Sequence, residues 1–281
     1  MAYSTLEDFF GDIVGKARRG QGMSVADLAR QAGLTPADIE RVESYDLVPE
    51  DVRIRALADT LKLSADKLVS IARNWFPAHG NDSFEDTHLS VTRLEVRVGR
   101  MEANCYLLRC KQTGKGAIVD PGAEARRILD AVDQHQARVS HILVTHGHGD
   151  HTGALQEIRQ ATGASVCCGE GDIPLLGETG RLVDEKVTDD WGAHVGEIAV
   201  EAVGLPGHTP GGTGYGANGI FFSGDALFAG SLGGARGAGY RQQIEEIERV
   251  LLSRNSAVSI FPGHGPVTTV GEERTHNPFF L

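Results

Sequence analysis

The sequence predicts an α/β layered domain preceded by a small all-α unit, and three observations carry that division. Residues 1–75 place apolar side chains at helical spacing with almost no strand-like alternation. Composition changes after Asn74, where "WFPAHGNDSFEDT" is polar and contains Pro77 and Gly80. From Leu89 onward, short strand-like runs alternate with helical ones, the pattern of a layered α/β domain. The expected organisation is a helical domain over 1–75, a linker over 76–88 and an α/β domain over 89–281.

Within the first part, "MSVADLARQAGLTPADIERVESYD" parses turn by turn. Ser24 is a good N-cap with Asp27 three positions on, and Val25, Leu28 and Ala29 supply a buried stripe. Gly33 stops that helix. Thr35 caps a second, with Pro36 at its first position, Asp38 reaching back, and Ile39 and Val42 on the inner face. Two short helices joined by a glycine-containing turn make a helix-turn-helix unit. "IRALADTLKLSADKLVSIA" adds a helix, a break near Leu63 and a last, capped helix starting after Ser64. Residues 10–73 together resemble the Cro-like helix-turn-helix domain of phage repressors.

In the second part, "LSVTRLEVRV" and "ANCYLLRC" read as paired strands and "GAIVDPG" as a third ending in a turn. "AEARRILDAVDQ" and "GALQEIRQAT" are helical, with the strand "HILVTH" between them. "EIAVEAVGL", "GTGYG" and "GIFFSGDAL" follow as strands, then the helix "RQQIEEIERVLLS" and the strand "AVSIF".

Bulk properties narrow the setting. The formal charge is −11, from 27 Lys and Arg against 38 Asp and Glu, so the chain is no general binder of nucleic acid. The opening "MAYSTLEDFF" carries acids where a signal peptide needs a basic stretch, and no apolar run reaches the ~18 residues of a membrane span. Cys105 and Cys110, five apart in a strand, face opposite ways, and Cys167–Cys168 sit in a short apolar run. All four read as reduced packing residues of a cytoplasmic protein.

The stretch "THGHGDHTG" at 145–153 is different in kind. His146, His148, Asp150 and His151 fall within six positions, separated by Gly147 and Gly149, directly after a buried strand. Glycines let such a loop fold back and aim several side chains at one place, and imidazole with carboxylate suits zinc, iron or manganese. Further donors follow later strands: His208 in "GLPGHTPGG", Asp225 in "FFSGDAL" and His264 in "IFPGHGP". The remaining histidines, His79, His88, His135, His141, His194 and His276, read as structural or exposed.

Taken with "NCYLL", "VDPG", "SGDALFAGS", "PGHGPVTT" and "GEERTHNPFF", these motifs resemble the metallo-β-lactamase fold superfamily, in its glyoxalase II-like (hydroxyacylglutathione hydrolase-like) branch, from about residue 90 onward. The resemblance implies an αβ/βα sandwich with its site at the edge of both sheets. It implies two divalent metal ions, zinc first and iron or manganese next. His146, His148 and His208 would hold one ion, Asp150, His151 and His264 the other, and Asp225 would bridge them. The implied chemistry is hydrolysis by metal-activated water, with Asp150 orienting the nucleophile or moving a proton. A thiolate leaves without a proton donor, since a thiol's pKa is ~8.5, whereas an amine needs one. No motif supplies a dedicated acid, so a small thioester of the acyl-glutathione type is the expected substrate.

Two features depart from the family. Longer glyoxalase II enzymes carry a C-terminal helical domain that grips glutathione, and only a short stretch follows the last metal motif here. Many relatives have arginine where this chain has Gly234, and Arg236 comes two residues later. The alternatives are a mono-iron persulfide dioxygenase, a lactonase or phosphodiesterase, and a transcription regulator with a metal-site sensor domain. For the last, Lys16, Arg18, Arg19 and Arg41 are the candidate nucleic-acid contacts. Residues 1–75 nevertheless carry ten Lys and Arg against twelve Asp and Glu, and the second helix of the motif sets Arg41 against Asp38, Glu40 and Glu43. This region is thus expected to meet DNA, a protein or a second copy of the chain.

Overall fold

The computed structural model describes residues 5–78 and 83–281; His79, read above as a linker residue, lies outside them. Five helices come first: α1 Phe10–Gly20, α2 Val25–Ala32, α3 Pro36–Glu43, α4 Asp51–Leu61 and α5 Ala65–Ala72. Their ends follow local chemistry. Ser24 Oγ accepts the Asp27 N–H at 3.0 Å, and Gly33 closes α2 in the left-handed region at φ 66°. Thr35 and Asp38 form a reciprocal capping box, with Pro36 in the first turn. Ser64 behaves otherwise. It stands at the N-cap of α5 without a side-chain capping bond, and its backbone N–H donates to the Pro278 carbonyl at 2.8 Å.

Two sheets follow. The first runs in chain order: β1 Ser83–Glu85, β2 Leu89–Val98, β3 Met101–Cys110, β4 Lys115–Val119, β5 Arg138–Val144, β6 Ser165–Gly169 and β7 Glu185–Val187. β1 lies inside the segment read as a linker, where Phe84 pairs with Val91 across an antiparallel edge. Its three residues are too few to give a sequence period. From β4 to β7 the pairing is parallel, so the carboxyl ends of these strands share one edge. The second sheet contains β8 Gly192–Val195, β9 Ile198–Gly204, β10 Thr213–Ala217, β11 Ile220–Gly224, β12 Ser259–Pro262 and β13 Thr268–Thr269, ordered from β13 back to β8.

Side-chain alternation sorts the layers. Tyr106, Leu143, Cys167, Tyr215, Phe222 and Phe261 fill the space between the sheets. Ile118, Ile142 and Val166 bury the other face of the first sheet against α6 Ala125–Gln134 and α8 Leu155–Thr162, through Ile128 and Ile158. The short helix α7 Gly149–Thr152 precedes α8. Phe221 and Ile260 bury the outer face of the second sheet with Tyr240 of α9 Ala238–Glu246. The result is a two-sheet sandwich with helices outside both sheets. Cys105 and Cys110 enter opposite cores, as do Cys167 and Cys168, and all four are buried and free.

The N-terminal helices join the outer layer of the second sheet. Ile13, Leu57 and Leu68 belong to one apolar cluster with Leu227, Phe279 and Phe280. Trp75 stacks on His276 of α10 Val270–His276 at 4.7 Å. Each buried Leu, Ile or Phe contributes roughly 1.5–3 kcal/mol, so this shared cluster holds the helices firmly against the sandwich. Among the described residues, no helix is long and apolar enough to cross a membrane.

Candidate metal centre

All seven donors picked from the sequence meet at one edge of the two sheets. β5 ends at Val144, and the next residues carry His146 and then His148, which is the N-cap of α7; Asp150 and His151 lie in its single turn. His208 follows β9, Asp225 follows β11 and His264 follows β12. Asp225 is central. Its Oδ1 lies 3.3 Å from His151 Nε2, while its Oδ2 lies 3.6 Å from both His208 Nε2 and His264 Nε2 and 3.9 Å from His146 Nε2. Asp150 Oδ2 is 3.4 Å from His264 Nε2 and 3.8 Å from His151 Nε2. His148 Nδ1 approaches His208 Nε2 to 3.1 Å.

The outer ring nitrogens fix which atoms face inward. His208 Nδ1 donates to the Gly234 carbonyl at 2.9 Å and His264 Nδ1 to the Glu102 carbonyl at 2.7 Å. His151 Nδ1 lies 3.1 Å from Asp120 Oδ2. His146 Nδ1 lies 3.1 Å from Thr145 Oγ1, whose proton already goes to Asp120 Oδ2 at 2.6 Å. With Nδ1 as the donor in each ring, a neutral imidazole turns an Nε2 lone pair into the site. Such atoms then crowd together: His151 Nε2 and His264 Nε2 are 3.3 Å apart. Among the described residues, the buried His146 Nε2 and Asp225 Oδ1 have no hydrogen-bond partner. Converging lone pairs, a central carboxylate and orphaned buried atoms fit a divalent cation. The atoms of His146, His148 and His208 lie within 4.8 Å of one another, as do those of Asp150, His151 and His264.

The electrostatics are those of a site that attracts positive charge. Burial alone would raise the Asp225 carboxyl, but the surrounding imidazoles, His151 foremost, hold it well below the usual carboxylate range. The hydrogen bond with His264 takes Asp150 down to about 2. Burial would depress His264, yet Asp225 and Asp150 push it up to about 9, whereas burial and the adjacent His151 drive His146 far below its ordinary value. The carboxylates that raise His264 are the ones that would attract a cation to the same donors, and His146 is kept neutral.

Several positioning residues were not legible as site residues. Asp120, at φ 52°, accepts from the Thr145 N–H at 2.7 Å, from its hydroxyl, and from His151. Asp120, His146 and His151 form a third close group, but the Asp120 oxygens are already engaged by these donors, so it orients His151 from behind. The "VDPG" motif marked its place without its role. The fully buried Asp172 accepts from Gly147 N–H at 2.9 Å and Gly211 N–H at 2.6 Å, tying the loop of His146 and His148 to that of His208. No local pattern announces it. A Cβ on Gly263 would sit 2.1 Å from Asp225 Oδ1, so only glycine lets the loop carrying His264 pass the central carboxylate.

A cavity of about 720 Å³ opens over the donors, lined by His148, Asp150, His208, Asp225 and His264 together with Glu7 and Lys16. The nucleic-acid candidates of the helical region are distributed otherwise than expected. Lys16 pairs with Asp8, donates to the Leu232 carbonyl at 2.8 Å and faces the metal cavity. Arg18 binds Glu43 through two bonds of 2.6 and 2.7 Å, and Arg19 lies 3.4 Å from the same carboxylate. Arg41 is exposed on α3. Helix α1 therefore turns toward the metal centre, and these four residues do not form one outward-facing basic surface.

Comparison with known proteins agrees with this architecture. The metallo-beta-lactamase superfamily pattern matches residues 98–264, and the chain belongs to that superfamily. It is 33% identical over 204 residues to the hydroxyacylglutathione hydrolase GloC of Haemophilus influenzae, covering 66% of this chain and 95% of that protein. Among solved structures, the BLEG-1 B3 metallo-beta-lactamase superposes with a TM-score of 0.61 at 28% identity, over 68% of this chain and 100% of that one. The di-iron-bound form of TTHA1623 gives a TM-score of 0.56 at 29% identity, over 66% of this chain and 100% of that one.

Proposed function

We propose that the chain is a metal-dependent hydrolase of a small thioester, with acyl-glutathione as the leading substrate. The observation that carries this reading is the convergence of two donor triads on one buried carboxylate. His146, His148 and His208 would hold one divalent ion, Asp150, His151 and His264 a second, and Asp225 would reach both. When bound, such ions supply Lewis acidity and make water reactive near neutral pH. The chain's own residues do the rest. Asp120 and the Glu102 and Gly234 carbonyls keep the imidazoles in the ligating tautomer. Asp150 stays ionised beside His264 and lines the cavity, where its carboxylate can orient an attacking water or take its proton.

Two arguments support a thioester. A thiolate leaves unaided more readily than an amine, and the GloC relative bears the name of a hydroxyacylglutathione hydrolase. Zinc and iron both suit this donor set, and one solved relative carries two irons. The test is thioester loss from S-lactoylglutathione by protein reconstituted separately with each metal, with His148→Ala as the blank. The reading predicts turnover in at least one metal arm and none in the variant. Undiminished turnover by His148→Ala would overturn the ligand assignment, and no turnover by fully metallated protein would overturn the substrate.

A further inference from the structure

Next to the metal cavity lies a second cleft of about 440 Å³, lined by Lys16, Arg19, Gly207, His208, Gly234, Ala235 and Arg236. Lys16, His208 and Gly234 line both spaces, so the cleft runs from the metal centre outward between α1 and the loop after Asp225. Three of its lining residues are cationic and none is acidic.

The surrounding charges do not cancel these cations. Lys16 is matched by Asp8. Glu43 is already held by both bonds of Arg18, so the longer contact from Arg19 leaves two guanidinium groups against one carboxylate. The Arg236 guanidinium has no ion pair or hydrogen bond among the described residues. The cleft thus holds an excess of positive charge in a chain whose net charge is −11. Its walls are also pinned together. Ser231 Oγ donates to Asp8 Oδ2 at 2.6 Å, Gly237 N–H donates to the Gly20 carbonyl at 2.8 Å, and Lys16 Nζ sits 4.9 Å from the Phe228 ring centroid. A Cβ on Gly20 would meet the Tyr240 ring at 2.4 Å, so the end of α1 lies directly against α9.

We infer that the N-terminal helical region is part of the substrate site, and that Arg19 and Arg236 hold an anionic tail of the substrate's thiol carrier while its thioester carbon lies over the metal donors. This rests on the thioester reading above. Two guanidinium groups at the mouth of a cleft suit carboxylate or phosphate, and a cationic wall in an acidic protein gathers anions selectively.

The test compares wild type with Arg19→Gln, Arg236→Gln and the double variant on three thioesters: S-lactoylglutathione for carboxylate, acetyl-coenzyme A for phosphate, and the uncharged S-ethyl thioacetate. Each single variant should raise KM for a charged substrate by roughly 10-fold, leave kcat within about twofold, and leave the neutral thioester unchanged. KM for the charged substrates should also rise with salt in wild type. The charged substrate with the lower KM identifies the anion. Equal effects on charged and neutral thioesters, or unchanged KM, would overturn the proposal. A calorimetric titration with S-methylglutathione and with coenzyme A separates this inference from the thioester reading. If wild type hydrolyses nothing yet binds either compound, and the double variant loses that binding, only the thioester reading fails. Equal binding by wild type and double variant, or none by wild type, removes the anion cleft itself.

Discussion

In α1 to α3 the polar side chains close on one another: Ser24 with Asp27, Thr35 with Asp38, Arg18 with Glu43, and Tyr45 donating to Asp12 at 2.6 Å. At the metal centre the buried His146 Nε2 and Asp225 Oδ1 find no hydrogen-bond partner among the described residues, and His151 Nε2 and His264 Nε2 approach to 3.3 Å. Each unsatisfied buried polar group costs about 1–3 kcal/mol, so a fold keeps several together only where something else completes them. In these four pairs polar chemistry is folding chemistry. At the seven donors around Asp225 it is recognition chemistry, left open toward a cation.

The contrast can be sharpened by removing one buried carboxylate from the second region and one cap from the first. Asp172→Ala strips the acceptor from the Gly147 and Gly211 N–H groups at once. It should cost roughly 2–4 kcal/mol of stability and weaken metal binding by ~10–100-fold, read by chemical unfolding and chelator competition. A loss of stability with unchanged metal affinity would mean that the two loops are positioned without it. At the small end, Thr35→Ala should cost about 1 kcal/mol and leave metal content and turnover unchanged, because its bonds end within the first turn of α3. A drop in turnover there would show that α3 communicates with the site.

How far the sequence could be read follows from the range of the interactions. The seven donors were legible because six of them stand beside a glycine after a strand and His151 follows directly in the same short run, a local signature that survives without knowledge of the partners. The caps of α2 and α3 were legible for the same reason: donor and acceptor are three residues apart. Asp172 was not, since it joins loops 25 and 39 positions away and carries no pattern of its own. Ser64 looked like a cap, but its neighbourhood is completed by Pro278. Lys16 and Arg19 read as candidates for nucleic acid because charge and helix spacing say nothing about which way α1 faces. That direction is set by Asp8 meeting Ser231 and Lys16 meeting the Leu232 carbonyl, contacts more than 200 residues long.

The central claim is that the seven side chains form one two-ion site around Asp225. It is tested most directly by metal stoichiometry, measured by elemental analysis after reconstitution with zinc or with iron, on wild type and on His208→Ala. The account predicts two ions per wild-type chain and about one in His208→Ala, which keeps Asp150, His151, His264 and Asp225. A wild-type chain that saturates at a single ion with either metal would contradict it.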